Sequence, residues 1–97
     1  MEVDEKFYDR ADAHINLSNE QLKESGLISV NDSMMYALVR FNAWVGASGF
    51  DSAQEMSASR EEVIEYFSTQ YRKMLEENLD NYIANFDKFM GLSKEGV

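Results

Sequence analysis

SMMYALVRFNAWVGASGF, residues 33–50, is the least polar run of the chain and its tightest constraint. Between Ser33 and Phe50 only Arg40, Asn42 and Ser48 carry strongly polar side chains. The run falls short of the roughly 20 apolar residues that span a bilayer. Arg40 near its centre would cost roughly 2.5–3.5 kcal/mol in lipid, so no membrane association is expected. Read as a helix, it places Met34, Met35, Leu38, Phe41, Trp44 and Val45 round most of its circumference, with Tyr36, Ala37, Arg40, Ala43 and Ala47 completing the turn. A helix apolar nearly all round is a covered one. The expectation is a buried spine over residues 34–47, enclosed by the other helices or by a second subunit.

The rest of the chain supports an all-α class. It contains no proline, and its five glycines stand at 26, 46, 49, 91 and 96. No segment alternates with strand periodicity, and no Asn-Gly or Asp-Gly hairpin signal occurs. Tyr8, Ile15 and Leu22 recur every seven residues, predicting a first helix over 4–25 that Gly26 stops in the left-handed conformation. Leu27 and Ile28 are expected to form a short apolar clasp. Asn31, Asp32 and Ser33, all good N-caps, open a second helix over 32–48. Asp51 to Gln54 has capping-box spacing and predicts a short helical turn near 51–56. Ser59-Arg60-Glu61-Glu62 repeats that spacing before a third long helix over 59–90, closed by Gly91, with 92–97 a frayed tail.

The reading is therefore a small bundle of three main helices in one domain, residues 1–97, with an ordered core over about 4–91. At 1.5 Å per residue the third helix would be roughly 48 Å long against roughly 33 Å for the first. It must break near Asn78-Leu79-Asp80-Asn81, where poor helix formers crowd together, or overhang a monomer. A continuous or gently bent helix within a homodimer is the preferred outcome. Ala43, Gly46 and Ala47 add to this by permitting close approach of another helix.

Chemistry is sparse. The absence of cysteine excludes disulfides, thiolate metal sites and cysteine nucleophiles. His14 is the single histidine, with no carboxylate at i±3 or i±4, so neither a metal site nor a triad is supported. No nucleophile elbow or phosphate-binding glycine loop occurs. No catalytic residue, metal or cofactor is assigned, and an enzyme is not expected. Eighteen acidic against nine basic residues give a net charge of −9, which disfavours direct nucleic-acid binding. The acidic N-terminus lacks a secretory pattern, and the expected location is cytoplasmic.

Arg40, Asn42 and Trp44 are the candidate interaction residues for an unidentified protein partner. Arg40 either pairs with a carboxylate such as Asp9, Asp12 or Glu65, or holds an anionic group of that partner. Two alternatives use other residues. Glu61, Glu62, Glu65, Glu76, Glu77 and Asp80 could form a phosphate-like double row, making the protein an acidic nucleic-acid mimic that binds a basic protein. Tyr8, His14, Tyr36 and Trp44 could line a small-molecule or enzymatic pocket between helices.

FYDRADAHINLSNEQL (7–22), SMMYALVRFNAWV (33–45) and IEYFSTQYRKMLEENLDNYIANFDKFM (64–90) resemble, in order and spacing, a family of small bacterial proteins described only as a domain of unknown function. The resemblance covers residues 5–90. It implies a bacterial, proteobacterial, cytosolic protein, and no activity, catalytic residue or cofactor follows from it.

Overall fold

A computed structural model describes residues 2–91 of the chain. The described residues form five helices and no strand: α1 (Phe7–Gln21), α2 (Leu27–Ala47), α3 (Ala53–Ala58), α4 (Arg60–Ala84) and α5 (Phe86–Phe89). The all-α class with three long helices is as the sequence indicates. The tail expected at 92–97 lies outside the described residues. The chain divides after Ser48 into two units, which are described in turn.

In the first unit, α1 starts later than the expected Asp4. The Asp4 carboxylate accepts the Lys6 backbone N–H at 2.9 Å and the Arg10 guanidinium at 2.8 and 3.2 Å, while its carbonyl accepts the Phe7 N–H at 3.1 Å. Aspartate uses its side chain here to hold a turn outside the helix. The Arg10 hydrogen bond, helped by the Lys6 N–H, holds the Asp4 carboxyl below the usual carboxylate range, and Arg10 is raised in return. The folded pKa is depressed, so this hook stabilises above the unfolded carboxylate pKa and is lost as pH falls through the folded one.

Gly26 does not act as the expected left-handed stop. Its φ of −70° and ψ of 156° are extended, and it is the N-cap of α2. The second helix therefore begins at Leu27 rather than 32. Leu27 and Ile28 form its first turn instead of a separate clasp, and Asn31, Asp32 and Ser33 lie inside the helix. The Val30 N–H bonds the Gly26 carbonyl at 3.1 Å, so an earlier start adds backbone hydrogen bonds that the polar caps would have forgone. A Cβ on Gly26 would meet nothing within 4 Å. Gly26→Ser, supplying a capping hydroxyl and restricting the unfolded chain, is expected to raise stability by about 0.5–1 kcal/mol in urea titration.

α1 and α2 form a hairpin whose contact includes a 3.6 Å approach of the Ser18 hydroxyl to the Met34 sulfur. On α2 the least exposed positions follow an i, i+4 row: Val30 is buried at 6% exposure, and Met34, Asn42 and Gly46 are half-buried. Such a row is the ridge by which helices pack. No residue of 34–47 is buried. The expected spine is thus helical but is not enclosed within its own unit, because the ridge covers one side of a helix that is apolar nearly all round.

In the second unit the short turn is α3, capped one residue later than expected. Ser52, with extended backbone, accepts the Glu55 N–H at 3.1 Å, and the Glu55 carboxylate reaches back to the Asp51 N–H at 3.1 Å. The capping box expected at Ser59 does not form. Ser59 is the single residue between α3 and α4, and its φ of −107° and ψ of 13° are far from the extended geometry of a capping side chain.

α4 runs unbroken through Asn78–Asn81 and ends at Ala84. Asn78 stays inside the helix by donating its side-chain N–H to the Met74 carbonyl at 2.8 Å. The interruption falls at Asn85, whose side chain donates to the Asn81 carbonyl and side-chain oxygen at 2.9 and 3.0 Å. α5 follows, with Phe89 edge-on to Tyr82 at 4.9 Å between ring centroids. Gly91, at φ 69°, supplies the left-handed stop expected there.

Candidate functional site

Tyr36, Arg40 and Trp44 are spaced i, i+4, i+8 and therefore stack along one side of α2. All three are exposed, Tyr36 at 66% and Trp44 at 65%. Phe41 lies 5.7 Å from Trp44 between ring centroids, tilted by 36°. Within its own unit Arg40 is paired with neither Asp9 nor Asp12. An exposed arginine with an aromatic residue one turn before and one turn after it on the same side is chemically suited to an anionic or aromatic group of a partner.

Asn42 does not share that side. Two residues from Arg40, it is rotated by about 200° on the helix and lies half-buried on the Val30 row. Ala43 and Ala47 lie with the exposed side and Gly46 with the half-buried one. Tyr8 and His14 are both exposed on α1, and their six-residue separation turns them about 120° apart. The structure brings Tyr36, Arg40 and Trp44 together and sets Asn42 apart. The i+4 spacing was the signal for that grouping.

The carboxylates of α4 are exposed; Glu62, Glu77 and Asp80 lie opposite its apolar stripe, whereas Glu61, one turn before Ile64, lies at the edge of the stripe. They do not form an unbroken row. Glu61, Glu62 and Glu65 lie at one end and Glu76, Glu77 and Asp80 at the other, about 16 Å apart along the helix. Arg72 and Lys73 stand between, Arg72 pairing with Glu76 at 3.1 Å, and Arg60 pairs with Glu61. A shallow, open hollow of about 660 Å³ is lined by Glu61, Glu62, Glu65, Tyr66, Thr69 and Gln70, all from this one helix. No group of three or more His, Cys, Asp or Glu among the described residues is placed to hold a metal ion. No helix among them is long and apolar enough to cross a membrane.

An all-helical protein with an exposed aromatic and arginine ridge and an acidic outer face is the class these features define. The chain belongs to the family described as protein of unknown function, DUF3144, which it matches over residues 7–83. It is similar to the NMR structure of the protein NB7890A from Shewanella sp., at 35% identity and a TM-score of 0.76, over 95% of this chain and 98% of that one. No curated protein matches it significantly.

Proposed function

We propose that this is a non-catalytic protein-interaction or accessory protein of the bacterial cytosol, and that its folded unit is a homodimer. One observation carries the reading: Val30 alone is buried among the described residues, while side chains as large as Trp44, Phe41, Tyr71 and Phe86 are exposed. Apolar surface of this kind is what a stably folded chain covers, and a second copy is the partner always available to it. The Tyr36, Arg40 and Trp44 ridge is the contact surface for a further protein.

Light scattering after size exclusion is expected to return about 22 kDa, twice the chain mass. Because folding and association are then one equilibrium, hundredfold dilution should lower Tm by about 5–10 °C. Both units should melt in a single transition. A mass of 11 kDa at every concentration, with Tm unmoved by dilution, would overturn the reading.

A further inference from the structure

We draw no further inference here: the strongest candidate, the apolar stripe of α4 that runs through Ile64, Phe67, Tyr71, Met74, Leu75 and Leu79 with none of these side chains buried, carries nothing because nothing in the structure shows what covers it.

Discussion

Leu75→Asp is expected to unfold the protein at micromolar concentration. Leu75 is 42% exposed in the single chain. If the chain were stable alone, an aspartate there would be solvated and would cost within about 0.5–1 kcal/mol, mostly helix propensity. In a homodimer that covers this stripe the same carboxylate is buried, and the symmetry introduces it twice. Each charge is then desolvated without a cation to pair with, a penalty of at least about 3–5 kcal/mol per chain. Dissociation exposes the stripe again, and folding is lost with association. Far-UV circular dichroism should show collapsed helicity and light scattering the loss of the dimer. Tyr66→Asp is the matched control. Tyr66 is more exposed, at 61%, and lies on the far side of α4 from the stripe, so its melt should move by no more than a few degrees. Equal, small effects at both positions would mean that neither side of α4 is covered.

Position 75 also marks where the sequence stops being informative. Periodicity identified the helices because a 3.6-residue repeat is a local property of the chain. Gly91 was legible for a similar reason, since an apolar segment ending on glycine calls for a left-handed residue. The errors lie where two local solutions compete. Asn31, Asp32 and Ser33 are good caps, but Gly26 lets the chain start the helix one turn earlier and keep its backbone bonds. Inside the helix Asn31 is left to donate to the Met35 sulfur at 3.5 Å. Asn78 and Asn85 make the same bond to the carbonyl four residues back, yet only Asn85 interrupts the helix. Composition does not distinguish them.

The candidate site was legible to the same degree. The i, i+4 rule groups Tyr36, Arg40 and Trp44, whereas adjacency in sequence had placed Asn42 with them. Apolar character says which side chains need covering. It does not say whether the cover comes from the same chain, and α2 is the case in point: apolar nearly all round, helical as expected, and left unburied within its own unit over 34–47.

Val30→Ala is the complementary expectation, because it truncates the one side chain buried among the described residues. Two methyl groups leave a site at 6% exposure, which forfeits about 1.5 kcal/mol of transfer free energy and adds a cavity cost. Alanine recovers about 0.5 kcal/mol through its better helix propensity. The net loss should be about 1.5–2.5 kcal/mol per chain. In a 194-residue homodimer carrying the change twice, that lowers Tm by about 6–20 °C. Val30 begins the ridge that continues through Met34, Asn42 and Gly46, and Met34 in turn meets Ser18 of α1, so the loss falls on the α1–α2 hairpin. The dimer should therefore melt earlier with its mass at low temperature unchanged, the reverse of the order expected for Leu75→Asp. Were Val30→Ala to change the mass at low temperature before the melting point, the hairpin ridge would itself be part of the subunit contact, and the division of labour between α2 and α4 would have to be redrawn.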